Sequence, residues 1–120
     1  MMLLLRVFAP AATPAEAEAI GRRLLDALQA FTPVTAQAPE RYWKIPEWYE
    51  HSLCLAPATE AGFDTVLALA ALGWDPVVRD GECSAVWNRV PGGKFLLSEV
   101  TWAELLLIHA LDQPGTPPLG

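Results

Sequence analysis

Two stretches with helical spacing of apolar residues, each opened by a threonine suited to capping, are set between segments that alternate with a period of two. A chain of 120 residues with that order buries its apolar surface most simply by laying two helices on one face of a sheet. The first helix opens at Thr13-Pro14-Ala15-Glu16, which has the form of a capping box with proline at the tolerant first position. Ala17, Ile20, Leu24, Leu28 and Phe31 then form one apolar stripe, and Pro33 ends it. The second helix is expected over 60–72, with Thr59 as cap, an apolar stripe from Phe63 to Ala71, and Gly73 just beyond its end.

Residues 2–8 read as a short buried strand closed by Ala9-Pro10. Tyr49, His51, Leu53 and Leu55 alternate with Glu50, Ser52 and Cys54, which places a strand at 48–55. Asp80-Gly81 suits a two-residue turn between strands at 77–79 and 82–88. The turn Pro91-Gly92-Gly93 leads to a further strand candidate at 95–97. For 98–111 strand is the preferred reading; a helix capped by Ser98, with Trp102, Leu105, Leu106 and His109 on one face, is the alternative. Residues 34–39 read as a polar, proline-bounded connection. The expectation is one α+β domain over 1–111, with two helices on one face of an antiparallel or mixed sheet of four to six strands, ferredoxin-like or related. Residues 112–120, rich in proline and glycine, are expected to be a flexible tail.

Composition removes several classes of function. With 52% hydrophobic residues the chain is too apolar for a disordered regulator. A net charge of −6 with no basic block argues against direct contact with nucleic acid. The longest apolar runs are far short of the ~20 residues that cross a bilayer. Arg6 interrupts the opening apolar run and no basic residue precedes it, so a first strand is expected there rather than a signal peptide, and a cytoplasmic location with it.

Catalytic signatures are sparse. There is no G-x-S-x-G elbow, and Ser52, Ser84 and Ser98 lie in or beside expected strands. His51, Cys54, Cys83 and His109 match a zinc site in number, but strand alternation sends His51 and Cys54 to opposite faces. Both cysteines are expected as small buried hydrophobes, unpaired. Gly92-Gly93-Lys94 lacks the upstream glycine and the following hydroxyl residue of a phosphate loop. Carboxylate neighbours such as Glu47 and Glu50, or Asp80 and Glu82, are common by chance among 14 acidic residues and read as solvated surface. No catalytic residue, metal or cofactor is assigned.

Residues 40–50 hold four of the chain's seven Trp and Tyr residues, interleaved with charge. Tyr42-Trp43-Lys44-Ile45-Pro46-Glu47-Trp48-Tyr49, then Ala85-Val86-Trp87-Asn88, then Val100-Thr101-Trp102-Ala103-Glu104-Leu105 together resemble small immunity proteins encoded beside bacterial polymorphic or secreted toxins, over roughly residues 40–110. The resemblance implies a cytoplasmic, non-catalytic inhibitor that binds one cognate toxin domain and blocks its active site or holds it inactive. An acidic chain suits a partner with a basic active-site cleft. Partner contacts are expected at Trp43, Glu47, Trp48 and Tyr49, with Asp75, Asp80 and Glu82 around the hairpin. Trp87 and Trp102 are assigned to the core. Two other readings stand beside this one. The first is a small-ligand or enzymatic domain with a pocket lined by Trp43, Tyr49 and His51. The second is a homo-oligomer, such as a dimer, pairing through an exposed edge strand such as 95–97 or through apolar helix surface.

Overall fold

A computed structural model describes residues 1–79 and 82–108. In it, β1 (Met2–Pro10) runs through the middle of a six-stranded sheet, between β3 (Trp48–Leu55) and β6 (Trp102–Ile108). The remaining elements are α1 (Pro14–Ala27), β2 (Val34–Arg41), α2 (Glu60–Leu67), β4 (Trp74–Arg79) and β5 (Glu82–Asn88). The order across the sheet is β2-β3-β1-β6-β5-β4, and every pairing is antiparallel. Strands β2, β3, β1 and β6 with the two helices make the ferredoxin-like arrangement, and the β4–β5 hairpin, inserted after α2, widens the sheet by two strands.

The alternation along β1 sorts the two faces. Leu3, Leu5, Val7 and Ala9 are fully buried beneath the helices, joined there by Ala17, Ile20, Leu24, Phe63 and Val66. Even-numbered positions of β1 look out on the opposite face, which carries no helix among the described residues. In register there, Leu4 lies beside Leu106 and Cys54, Arg6 beside Glu104 and Ser52, and Phe8 beside Trp102 and Glu50.

Both caps form. Thr13 Oγ1 accepts from the Glu16 N–H at 3.2 Å, and Glu16 reaches back to the N–H of Ala12, one residue before the expected partner. Thr59 Oγ1 accepts from the Gly62 N–H at 3.0 Å. The first helix stops at Ala27 and tightens into a 3₁₀ turn over Gln29–Phe31, so the stripe through Leu28 and Phe31 is completed outside the α-helix.

Several expectations are corrected. Residues 34–41 form a strand, β2, where a connection is expected; as an edge strand almost wholly exposed, it tolerates Pro39 and shows no apolar alternation. The second helix ends at Leu67 rather than at 72: past Ala68 the bonds tighten to i→i−3, Leu69 N–H to Val66 O at 3.0 Å and Ala70 N–H to Leu67 O at 3.3 Å, and the Leu72 carbonyl beyond them accepts from the Trp87 indole N–H at 2.8 Å. Gly73 (φ +107°) follows, where a Cβ would lie 2.5 Å from Trp87 Nε1. The hairpin strand begins at Trp74, three residues early. Residues 95–97 make only an isolated bridge with Phe95 fully buried against Trp74 and Trp87, so they offer no edge strand for a second copy. Residues 102–108 are strand, in agreement with the preferred reading of that segment, and the Thr101 N–H and hydroxyl both donate to the Phe8 carbonyl. Trp87 is core, whereas Trp102 lies half-buried on the face without helices. Cys54 and Cys83 are free thiols and half-buried rather than buried. Asp80 with its Gly81 turn, His109 and the 112–120 tail lie outside the described residues. Among the described residues no helix is long and apolar enough to cross a membrane.

Candidate functional site

The aromatic segment forms the connection between β2 and β3 and folds over one end of the uncovered sheet face. Phe8, on that face, is only 1% exposed, because rings close round it: Tyr42 edge-on at 4.8 Å, Trp102 edge-on at 5.0 Å and Trp48 at 6.4 Å. Arg6 covers the same ring at 5.3 Å. The loop is also pinned by its backbone. The Tyr42 N–H donates to Trp48 O at 2.8 Å, the Trp48 N–H to Ile45 O at 2.9 Å, and the Ala11 N–H to Glu47 O at 3.1 Å. Arg41 adds a bond to Pro46 O at 2.5 Å.

On this held loop Trp43 is 79% exposed, with its flank against Tyr42 and the Lys44 ammonium 5.2 Å from its ring centroid. Glu47 is exposed beside it, and a shallow groove bounded by Pro10, Ala12, Glu16, Arg41 and Glu47 runs alongside. Next along the sheet, Arg6 bonds Glu50 through Nε at 2.8 Å and Glu104 through Nη1 at 2.6 Å; Ser52 adds a weaker bond to Glu50. Those carboxylates hold the Arg6 guanidinium above its ordinary pKa, Glu50 most strongly, so it stays charged. The result is an aromatic patch next to a half-buried charged triad.

The expected contact residues do not all meet. Trp43, Glu47 and Trp48 share the loop region, with Trp48 half-buried under it. Tyr49 is buried, facing the helices; its hydroxyl accepts from Arg41 at 2.9 Å and its ring carries that guanidinium at 4.7 Å, so it supports the loop. Asp75 is exposed at the same end of the sheet but on β4, four strands from β3, roughly 19 Å at ordinary strand spacing. Glu82 starts β5 at the opposite end, as the pairing of Arg79 with Glu82 against that of Trp74 with Trp87 requires. Glu82 and the aromatic loop therefore belong to separate surfaces.

The pocket expected from Trp43, Tyr49 and His51 does not form as one site either. His51 faces the helices and lines a cleft between α1 and β2 that contains neither of the other two. Cys54 is on the uncovered face, so it and His51 are on opposite sides of the sheet. Among the described residues no group of His, Cys, Asp or Glu converges as a metal site would require. Sequence reasoning missed Arg6, Phe8, Tyr42, Glu50 and Glu104. The available signal was Arg6 itself, a charge at an even position in an apolar strand, which marks an outward face.

Comparison with known proteins adds no relative: no protein-family model, curated protein or solved structure matches the chain.

Proposed function

We propose that this chain is a non-catalytic inhibitor of the immunity type, which binds a cognate bacterial toxin domain through the aromatic loop and the adjoining end of the uncovered sheet face. One observation carries the reading: Trp43 stands almost wholly in solvent on a loop whose backbone and neighbouring rings are fixed. An exposed tryptophan adds nothing to the core, and a preorganised one loses little entropy on entering a partner's pocket. The surrounding face supplies Trp48, Trp102 and Arg6, residue types that interfaces favour, and the net charge of −6 favours approach to a basic cleft.

The test is capture with tagged protein from lysate of the source cells, followed by affinity measurement against the purified partner and an assay of that partner's toxicity. The expected result is one dominant toxin-like protein, neutralised on binding, whose affinity falls at least about tenfold with Trp43→Ala and further with Glu47→Lys. Retention of full affinity by the double variant would remove the loop from the interface. Self-association with no foreign partner, seen as concentration-dependent mass, would replace the inhibitor reading with a homo-oligomer.

A further inference from the structure

The cleft between α1 and β2 is remote in kind from the aromatic loop, and its features are those of a small-molecule site. It measures about 210 Å³, and Gly21, Leu24 and Leu25 of α1, Pro39 of β2, and His51 and Leu53 of β3 line it. Three independent features converge on His51. The imidazole is 3% exposed, yet among the described residues neither Nδ1 nor Nε2 meets a hydrogen-bond partner. Buried polar groups are ordinarily paired, and an apolar residue of similar shape would avoid the cost.

Gly21 lies in the interior of α1, where glycine weakens a helix relative to alanine. A Cβ at that position would stand 3.4 Å from His51 Nδ1 and 3.8 Å from Pro39, so the glycine is what leaves room beside the imidazole. The third feature is β2. Its pairing with β3 shifts register between Thr35 and Gln37 and again between Gln37 and Glu40, and His51 falls between the paired positions without a partner residue. The edge strand bulges where the cleft opens.

We propose that this cleft binds a small neutral molecule built on a single aromatic ring and carrying one hydroxyl or ring N–H, with its ring against Leu24, Leu25 and Leu53 and its polar atom on His51. The size follows from the volume: a cavity of ~150 Å³ holds benzene, so this one takes one substituted ring. The hydroxyl or N–H follows from a neutral imidazole, which offers one donor and one acceptor. Burial holds His51 neutral by lowering its pKa to about 4. An ionised ligand is disfavoured because the charged groups on the cleft, Glu18 and Arg22, are exposed at its mouth. This site is independent of the inhibitor reading.

Phenol is the probe and toluene its control, read by the imidazole ¹⁵N and ring ¹H resonances of His51 in the full chain. Phenol is expected to shift them saturably and to bind about tenfold or more tightly than toluene, the worth of one buried hydrogen bond. Gly21→Ala is expected to keep the fold, because its methyl meets only ordinary contacts, while weakening phenol by about tenfold. His51→Phe is expected to abolish the preference for phenol over toluene. Absence of saturable change at His51, equal binding of toluene, or unaltered phenol affinity in a folded Gly21→Ala protein would each overturn the proposal.

Discussion

Arg6 and Glu104 face one another across the β1–β6 pair, Nη1 to Oε1 at 2.6 Å, on the sheet face opposite the two helices. The same guanidinium holds Glu50 on β3, so one cation keeps two carboxylates together across three strands. Removing the cation leaves like charges side by side and half-buried. Arg6→Met is therefore expected to cost about 1–3 kcal/mol, between the values for exposed and buried pairs. Adding Glu50→Gln and Glu104→Gln should recover most of that loss. Urea denaturation of the single and triple variants checks both; an equal loss in the two would mean that Arg6 acts by packing on Phe8 rather than by charge.

Trp43 and Trp87 separate binding from stability. Trp87 is fully buried, its indole N–H on the Leu72 carbonyl and its ring beside Phe95, and Trp87→Ala should cost about 3–5 kcal/mol. Trp43→Ala should stay within about 0.5 kcal/mol of the parent, as for other surface changes. Thermal unfolding followed by near-ultraviolet circular dichroism distinguishes them. A large loss at Trp43 would show that the loop is held by that ring and would weaken its assignment as a partner anchor.

How much of this was legible depends on where each element's information resides. Caps, the apolar stripes and the alternation at 48–55 are local, and the strand bounds there agree with the structure. β2 was illegible because an exposed edge strand buries almost nothing, so Val34–Arg41 has no alternation to detect, and Pro33 before it and Pro39 within it mimic a connection. The apolar stripe runs on past the end of α2 at Leu67, and the partner of the Leu72 carbonyl, Trp87, lies fifteen residues further along the chain. The uncovered face was half legible: the sequence places Arg6 and Phe8 on one side of a strand, but only the strand order brings Glu50 and Glu104 to Arg6. The His51 cleft needs α1, β2 and β3 at once, and no spacing within any of them encodes it.

Gly62 is fixed by a backbone contact rather than by its dihedral angles. A Cβ there would lie 2.1 Å from the Pro57 carbonyl oxygen, which already accepts from the Thr59 N–H at 2.9 Å. Gly62→Ala must push the first turn of α2 off that carbonyl, against the gain in helix propensity of about 1 kcal/mol. Overpacking of this kind costs typically 1–3 kcal/mol and should dominate. The expected outcome is a net loss in stability, measured by urea denaturation, whereas Gly21→Ala in α1, with only ordinary contacts, should be neutral or stabilising.

His51 gives the fold a dependence on pH in a window of its own. In the unfolded chain its imidazole takes a proton near 6.5, but in the fold burial delays this to about 4. Between those values the unfolded state binds more protons, so stability falls as pH falls from 6.5 towards 4 and levels off below it. The gap corresponds to about 3 kcal/mol when complete. The charged groups lining the same cleft are Glu18 and Arg22 from α1; β2 contributes only Thr35, Gln37 and Pro39 there, and β1 sets Val7 beside the histidine in register. Glu99, whose carboxyl is held below its ordinary range chiefly by its bond to Arg23, loses its contribution only at lower pH, and the part of the decline between 6.5 and 5 that His51→Phe removes belongs to His51. Urea unfolding at pH 7, 6 and 5 should show this decline, and His51→Phe should flatten it. A titration of His51 in the folded protein near its ordinary value would contradict the burial that the cleft requires.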